Sequence, residues 1–315
     1  MDKKYVVGVD LGGTKICCAL SDMDGNLLSK VTIPTNAHEG EVAVLQRIIH
    51  SIEEGINQAG KSCDEVKAIG IGSPGPLDSK TGMILNTPNL PFNNFKLVDE
   101  LVNKFAIPTY LENDANAAAV GEYLFGAGKG TQNMVYVTVS TGIGGGAVLN
   151  GKLYKGATSN ALEIGHITVQ PEGPKCNCGN YGCAEALASG TAIGRQAREA
   201  IERGLDTSLT QYEKVTSYEV FVEAEKGDKV ASYILNRSLT YLGICVANVI
   251  CCFDPEVVVI GGGVSKGGDV VFERVREVVK NRALRPMNNC SVVPAGLGTD
   301  AGVVGAVAVA ITESN

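Results

Sequence analysis

Residues 5–21 read YVVGVDLGGTKICCALS, and this stretch decides the fold. Two short β-rich runs, Tyr5–Asp10 and Ile16–Ser21, flank a glycine-rich turn, and a third run, Leu27–Ile33, follows a second turn. Runs of this length joined by such turns are typical of hairpins. The sequence therefore predicts that the chain opens as an antiparallel meander.

The same pattern returns 130 residues later in the chain. Val135–Val139 leads into the turn STGIGGG at 140–146, and Ala147–Leu149 is followed by Asn-Gly. Because Gly12 and Gly142 correspond under this shift, we interpret the pattern as an internal duplication. We expect two α/β lobes with one glycine-rich hairpin each, a small lobe over 1–118 and a large lobe over 119–300.

Composition excludes several classes of protein. Of 315 residues, 44% are hydrophobic and 19% charged, which excludes disordered, collagen-like and coiled-coil chains. The net charge of −7, with only short basic clusters, predicts no nucleic-acid partner.

The sequence predicts no membrane span and no signal peptide. The longest charge-free stretches, Leu239–Phe253 and Ala301–Ile311, are shorter than the ~20 residues of a membrane span. Asp10 interrupts the first apolar stretch too early for a signal peptide. We expect a cytosolic protein with no membrane partner.

Hydrophobic periodicity predicts helices between the β-rich runs. The predicted helices are Val42–Ala59, Leu97–Phe105, Ala115–Phe125, Thr191–Arg203, Ser217–Lys226, Lys229–Cys252, Phe272–Asn281 and Ala301–Thr312. Further strands are predicted at Ala68–Gly72, Thr109–Glu112 and Val257–Ile260, and a loop at 156–183. The C-terminal helix, within 301–315, has a charge-free surface, so we expect it to pack back on the first lobe.

Three glycine-rich turns predict a phosphate-binding site, because glycine lets backbone N–H groups approach an anion closely. The candidate residues are Asp10, Gly12, Gly13, Thr14, Lys15, Thr141, Gly142, Gly144, Gly262 and Gly263. For any single turn, a tight hairpin is an equally good explanation. The usual phosphate-loop motif is absent. The first glycine-rich turn leads into a predicted strand, whereas the corresponding turn of a dinucleotide-binding fold leads into a helix. A nucleotide would therefore lie between hairpins.

Two aspartates stand where strands are predicted to end. Asp10 could hold Mg²⁺ against phosphate oxygens, or it could be an ordinary turn residue. Asp114 begins a predicted helix, so its carboxylate could cap that helix or act as a general base. A carboxylate that orients an alcohol for attack on a γ-phosphoryl group is what a kinase requires.

His166, Cys176, Cys178 and Cys183 lie within eighteen residues of a polar segment predicted to be loop. One imidazole and three thiolates form a closed tetrahedral zinc set, which predicts a structural zinc ion. Reduced core cysteines are the alternative, but this segment is too polar to bury thiols as hydrophobes. Zinc binding would also fix the positions of the Glu163 and Glu185 side chains. Without zinc, the simplest interpretation of both residues is ordinary surface charge.

The motifs taken together resemble the ROK family (repressors, open reading frames, kinases), most closely its bacterial glucokinases. The resemblance covers about residues 5–310 and rests on motifs that are specific jointly. These are DLGGTK at 10–15, GSPGP at 72–76, Asn89, ENDAN at 112–116, TGIGGG at 141–146, EIGH at 163–166 and CNCGNYGCAE at 176–185. In place of the glycine that the family usually carries before EIGH, this sequence has Leu162.

The resemblance implies an actin-like ATPase (ribonuclease H-like) fold, with two α/β lobes around a central cleft and sugar bound between them. It implies ATP with Mg²⁺ and a structural zinc ion, a homodimer or homotetramer, and transfer of phosphate to the 6-hydroxyl of glucose. Asp114 would be the base on that hydroxyl. The residues implied to lie on or near the sugar are Gly75, Asn89, Asn113, Glu163, His166 and Glu185, with His166 also a zinc ligand.

Several alternatives stay open on the sequence alone. Another hexose, including fructose, N-acetylmannosamine or N-acetylglucosamine, could be the acceptor, and ADP or polyphosphate could replace ATP. A sugar-sensing repressor would need a DNA-binding segment ahead of the first strand, which is predicted to start at Tyr5. An actin- or chaperone-like ATPase without a sugar substrate would not need the zinc loop and its glutamates.

Overall fold

A computed structural model describes residues 3–87 and 89–315 of the chain. Short apolar runs form the central strands of the two larger sheets, and most residues of these strands are buried. The strands are β1 (Tyr5–Leu11), β2 (Lys15–Asp22), β3 (Leu27–Pro34), β4 (Val66–Ser73), β5 (Leu77–Asp78), β6 (Met83–Asn86), β7 (Asn93–Phe95), β8 (Thr109–Asn113), β9 (Met134–Val139), β10 (Ile143–Leu149), β11 (Lys152–Leu153), β12 (Val257–Gly261) and β13 (Ser291–Pro294).

The helices lie within one or two residues of their predicted ends, apart from one that begins three residues early and one that the periodicity missed. They are α1 (Glu41–Gln58), α2 (Leu97–Phe105), α3 (Asp114–Phe125), α4 (Ala184–Ala188), α5 (Gly190–Glu202), α6 (Ser217–Glu225), α7 (Lys229–Phe253), α8 (Asp269–Arg282) and α9 (Ala301–Glu313). The missed helix is α4, whose five residues are too few to show a period. The small antiparallel sheet β5-β6-β7 was missed for the same reason.

Two five-stranded sheets have the same strand order, which confirms the repeated pattern seen in the sequence. The first runs β3-β2-β1-β4-β8 and the second β11-β10-β9-β12-β13. In the first sheet β1–β3 pair antiparallel, and β4 and β8 extend it in parallel beside β1. In the second, β12 pairs in parallel with both β9 and β13. Strands that share a parallel register end together, so the residues that follow them meet at one edge.

The chain divides into two compact units, and the division falls within β10. The first unit comprises 1–131, 146–161 and 296–315, and the second comprises 132–145 and 162–295. In the first unit the apolar stripe of α1, including Ile48 and Ile52, packs into a core with strands β1, β2 and β4. In the second unit α7 contacts α4, α5, α6 and α8.

Helix α7 is long and apolar enough to cross a membrane by length and composition. However, 61% of its most apolar 18-residue window is buried inside the protein. The core helix of a globular protein is buried against its neighbours, and it can be as long and as apolar as a membrane span. The burial of α7 is typical of such a core helix.

Helix α9 packs on the first sheet and on α3. Val307 and Ala310 join Val6 and Ala68 in one buried cluster. The approach is close because β4 carries Gly70 at the contact: a Cβ there would lie 2.1 Å from the Ala306 carbonyl oxygen and 2.7 Å from the Ala310 nitrogen. The C-terminal helix therefore completes the core of the first unit.

We expect Gly70→Ala to lower the free energy of unfolding by about 2 kcal/mol or more, because the added methyl meets backbone that cannot move aside. Urea unfolding measures this loss. Gly55→Ala in α1 is the matched control, since its Cβ would meet its nearest neighbours at 3.5 and 3.8 Å, which is ordinary contact. Equal stability of the two variants would contradict the close packing of α9.

Candidate functional site

The β1–β2 turn holds the first group of predicted site residues. The turn is closed by the Gly12 N–H, which donates to the Lys15 carbonyl at 3.0 Å, and by Thr35, whose hydroxyl donates to the Gly12 carbonyl at 2.6 Å. A Cβ on Gly13 would lie 2.7 Å from the Asn89 Cβ. The structure thus brings a predicted phosphate residue against a predicted sugar residue.

Asp10 lies at the end of β1, mostly withdrawn from water. The pKa of its carboxyl is raised to about 6, mainly by burial and also by the nearby Asp114 carboxylate, while Lys15 opposes both effects. A Cβ on Gly302, in the first turn of α9, would lie 2.5 Å from Asp10 Oδ2. Sequence reasoning missed Gly302, although only a residue without a side chain fits beside this carboxylate.

Asn113 and Asp114 stand at the junction of β8 and α3. Asn113, not Asp114, is the helix cap, because its Oδ1 accepts the N–H groups of Ala115 at 3.0 Å and Asn116 at 3.4 Å. Its Nδ2 lies 3.5 Å from where a Cβ on Gly75 would stand. With Oδ1 used for capping, the amide group can offer a ligand its donor side.

Asp114 is the first residue of α3, and its Oδ1 accepts the Ala115 N–H at 2.8 Å. Burial raises the pKa of its carboxyl, while backbone hydrogen bonds to it oppose that rise. A carboxylate with a raised pKa is a stronger proton acceptor than an ordinary one, and the Asp114 side chain remains accessible to a ligand. The interpretation of Asp114 as a helix cap is therefore wrong, and its geometry suits a base.

In the second unit, Glu185 packs on the turn between β9 and β10. Its Oε2 accepts the Ile143 N–H at 3.0 Å, and a Cβ on Gly142 would lie 2.4 Å from the same oxygen. A Cβ on Gly165 would lie 2.1 Å from the Ile143 carbonyl oxygen, so the 3₁₀ turn Ile164–His166 packs on the start of β10. Glu163 and Glu185 are thereby tied to the same glycine-rich turn.

Leu162, just before Glu163, has a left-handed backbone with φ of +66°. A bulky residue rarely adopts this region, which costs roughly 1–2 kcal/mol. Its side chain is nevertheless 8% exposed, so burial offsets the backbone cost. The difference from the resembled family thus falls at a strained position beside a predicted sugar residue.

The predicted metal ligands come together. One imidazole nitrogen of His166 and the sulfurs of Cys176, Cys178 and Cys183 all lie within 4.8 Å of one another. Cys176 Sγ is 3.6 Å from His166 Nδ1, and Cys178 Sγ is 3.7 Å from Cys183 Sγ. Tetrahedral zinc has bonds of about 2.3 Å to sulfur and about 2.0–2.1 Å to nitrogen. These bonds place a sulfur about 3.6 Å from a nitrogen ligand and about 3.8 Å from another sulfur. The donor set therefore fits zinc.

Two adjoining cavities lie in the second unit and share Ser217, Gly263 and Val264. One, of about 750 Å³, lies among α6, α7 and α8 and is largely apolar, with Phe221 and Leu239 in its wall. The other, of about 370 Å³, is lined by Ser140 and Thr141, by the first turns of α5 and α6 and by one cation, Arg198.

Sequence reasoning found Thr141 and Gly263 in these walls but missed the helical residues. Single residues on helix faces carry no motif, and only the fold brings them to one cavity. The other predicted glycines, Gly144 and Gly262, lie in the same strand-turn segments, and a Cβ on Gly262 would meet the Val139 backbone at 2.4 Å.

Comparison with known proteins finds relatives over nearly the whole chain. The model of the ROK family matches residues 6–313. The glucokinase of Thermotoga maritima is 39% identical over 315 residues, covering 98% of each chain. A ROK hexokinase from Thermus thermophilus is 38% identical with a TM-score of 0.85, and a ROK family glucokinase from Streptomyces griseus in complex with glucose and AMPPNP is 33% identical with a TM-score of 0.80. Both structures align over 98% of this chain and 99% of theirs. These structural neighbours confirm the predicted actin-like ATPase fold.

We expect Asp10→Asn to stabilise the protein at pH 8 when Mg²⁺ and ATP are absent. A carboxyl whose pKa is raised to about 6 on folding binds its proton more tightly in the folded state, so its contribution to stability falls as pH rises from about 4 to 6. The shift corresponds to about 2–3 kcal/mol, and we expect a gain of about 1–3 kcal/mol at pH 8 and little at pH 4. Urea unfolding at both pH values measures it.

Asp78→Asn is the control for this effect. The exposed Asp78 carboxylate accepts the N–H groups of Lys80 and Thr81, and these hydrogen bonds lower its pKa. Its removal should therefore give no gain at pH 8. If Asp10→Asn behaves like Asp78→Asn, the buried charge at Asp10 does not cost stability.

We expect Leu162→Gly to be more stable than Leu162→Ala by about 1 kcal/mol. Both variants lose the same buried side chain, but only glycine adopts a positive φ without strain. Alanine is the more stable of the two at ordinary positions, so the order itself is the readout in thermal or urea unfolding. An alanine variant as stable as the glycine variant would contradict the left-handed backbone.

Proposed function

This chain belongs to the ROK family, and from that premise we propose that it is a glucokinase that transfers the γ-phosphoryl group of ATP to the 6-hydroxyl of glucose. The near full-length similarity to glucokinases, at 39% identity, supports the substrate. The observation that carries the chemistry is Asp114, a solvent-accessible carboxyl at a strand-to-helix junction whose pKa is raised by the protein packed around it.

We propose that ATP occupies the two adjoining cavities of the second unit. The largely apolar cavity of about 750 Å³ has the size of a small-molecule pocket and suits the adenine base. The smaller cavity meets the N-terminal turns of α5 and α6 and holds Arg198, which suits the phosphates. An apolar pocket beside a phosphate pocket favours a nucleoside triphosphate over polyphosphate.

The proposed reaction begins with proton transfer. Asp114 accepts the proton of the 6-hydroxyl as that oxygen attacks the γ-phosphorus, and the bond from the γ-phosphorus to the bridging oxygen breaks and releases ADP. Asp10 would hold Mg²⁺, which neutralises charge on the phosphates. A base whose pKa lies nearer neutrality accepts a proton more readily at physiological pH.

We propose that the remaining hydroxyls of the sugar are recognised by the predicted residues of each unit. In the first unit, Asn113 offers its Nδ2, and Gly75 and Asn89 leave room for the sugar. In the second unit, Glu163, His166 and the Oε1 of Glu185 would accept or donate hydrogen bonds. The 3₁₀ turn and the β9–β10 turn hold these side chains in place.

We further propose a structural zinc ion on His166, Cys176, Cys178 and Cys183. These ligands use the Nδ1 of the imidazole, so Nε2 is left to contact the sugar. The surrounding segment has few buried side chains, and metal binding supplies the order that an apolar core would otherwise provide. A cytosolic homo-oligomer is the setting that we propose for the enzyme.

The test is ADP release with Mg²⁺ and ATP across glucose, mannose, fructose, N-acetylglucosamine and N-acetylmannosamine. We expect strong turnover on glucose. Asp114→Asn should lower kcat by about 10²–10⁴-fold while calorimetry shows glucose affinity largely kept. Asp99→Asn, in an exposed ion pair of α2, should behave as the wild type.

Each outcome of this test has a defined meaning. Turnover only on an N-acetylated sugar would keep the mechanism and replace the substrate. Sugar binding without turnover would support a sugar-sensing regulator in place of an enzyme. A folded Asp114→Asn variant with normal kcat would remove Asp114 from the role of base.

We expect Cys178→Ser to lose about one zinc ion per chain and to raise the KM for glucose by about tenfold or more, because the ring of His166 loses its anchor. Metal analysis and steady-state kinetics measure the two effects. Cys252→Ser is the matched control, since Cys252 is equally exposed but lies outside the cluster. Unchanged zinc content in Cys178→Ser would count against the site.

A further inference from the structure

A fully buried carboxylate lies directly behind Asp114. Glu112, in β8, is 0% exposed, and no motif assigns it a ligand. Its Oε1 accepts the backbone N–H of Asn113 at 3.0 Å and the side-chain Nδ2 of Asn116 at 3.0 Å. These two groups lie on either side of Asp114 in the chain, so one oxygen of Glu112 fixes both flanks of the proposed base.

The other oxygen of Glu112 meets a lysine. Lys155 Nζ lies 3.0 Å from Glu112 Oε2 and 2.6 Å from Glu313 Oε1 at the end of α9. Burial alone would lower the pKa of Lys155, but the two carboxylates outweigh it and raise that pKa, so the side chain stays charged. Lys155 therefore supplies the positive charge that a buried carboxylate needs.

Burying the Glu112 carboxylate costs folding free energy, and the contacts of this carboxylate indicate its role. A buried ion pair contributes little to stability compared with apolar residues of the same volume. Charge-assisted hydrogen bonds, however, are shorter, stronger and more directional than neutral ones. Both of the hydrogen bonds that Glu112 accepts end on the segment that bears Asp114, and they do not reach any neighbouring core element.

The backbone on the other side of Asp114 is also held. Gly72 of β4 pairs with Glu112, and Ser73 pairs with Asn113. Pairing with β4 therefore fixes the backbone up to the residue before Asp114. The hydrogen bonds of Glu112 hold the residues on either side of Asp114, so the first turn of α3 is restrained at both ends.

We propose that Glu112 and Lys155 form a positioning pair for phosphoryl transfer: Lys155 holds the Glu112 carboxylate, and that carboxylate aims Asp114 by fixing Asn113 and Asn116. This inference rests on the proposed kinase function. A misplacement of about 1 Å costs about 10²-fold in rate, so a pair that never touches substrate controls kcat through the base.

The test compares kcat and KM of three Lys155 and Glu112 variants at a temperature where circular dichroism shows each to be folded. We expect Lys155→Met to lower kcat by about tenfold or more, with KM for ATP within about twofold of the wild type. Lys155→Arg keeps the charge and should recover at least about a third of wild-type kcat. Glu112→Gln keeps the shape and should lose about tenfold in kcat, and it carries the test if Lys155→Met does not fold.

Lys104→Met is the matched control. Lys104 forms an ion pair with Glu53 at 2.9 Å, and the side chains of both residues are exposed. This variant should leave kcat unchanged. Wild-type kcat in Lys155→Met or in Glu112→Gln overturns the positioning pair and leaves the kinase function standing. A Lys155→Arg variant as slow as Lys155→Met overturns the pair in the same way. Wild-type protein that phosphorylates no hexose overturns the proposed function, and the pair with it.

Discussion

The absence of a side chain at Gly72 is the constraint on which the candidate site residues of the first unit depend. In the parallel register of β1, β4 and β8, Gly72 stands between Asp10 and Glu112. A Cβ there would press on Ala117 at 3.3 Å and lie close to the Asp114 backbone. The glycine thus lets α3 begin directly above the ends of the strands. Three carboxylates consequently gather at one edge of one sheet.

Each of these carboxylates meets a different environment, which separates their roles. Glu112 is paired with Lys155 and accepts two hydrogen bonds, so it serves as a fixed anchor. Asp10 is half-buried near Asp114, and both desolvation and the repulsion between the two carboxylates raise its pKa; the Mg²⁺ that we propose there would relieve this repulsion. Asp114 accepts a backbone hydrogen bond, and its pKa is raised by the protein packed around it, which suits the role of proton acceptor that we propose for it.

The two units order their peripheral segments in different ways. Helix α9 is ordered by close apolar packing, since its small residues approach the glycines of β1 and β4. The loop that contains His166 and three cysteines has little apolar surface to bury. The zinc ion that we propose on these four residues would replace that core, and the 3₁₀ turn that ends in His166 packs on the turn that Glu185 also contacts.

Local pattern predicted much of this architecture because each strand, long helix and turn carries its own signal. The repeated hairpin around Gly12 and Gly142 predicted two sheets of like order, and the Cys spacing predicted the ligand cluster that the structure brings together. Lys155 and Glu112 lie 43 residues apart, and nothing in either segment marks them as partners. The walls of the large cavity and the left-handed backbone at Leu162 likewise depend on tertiary packing. Long-range pairing of single residues has no period and no motif, so it becomes visible only when the fold brings the two segments together.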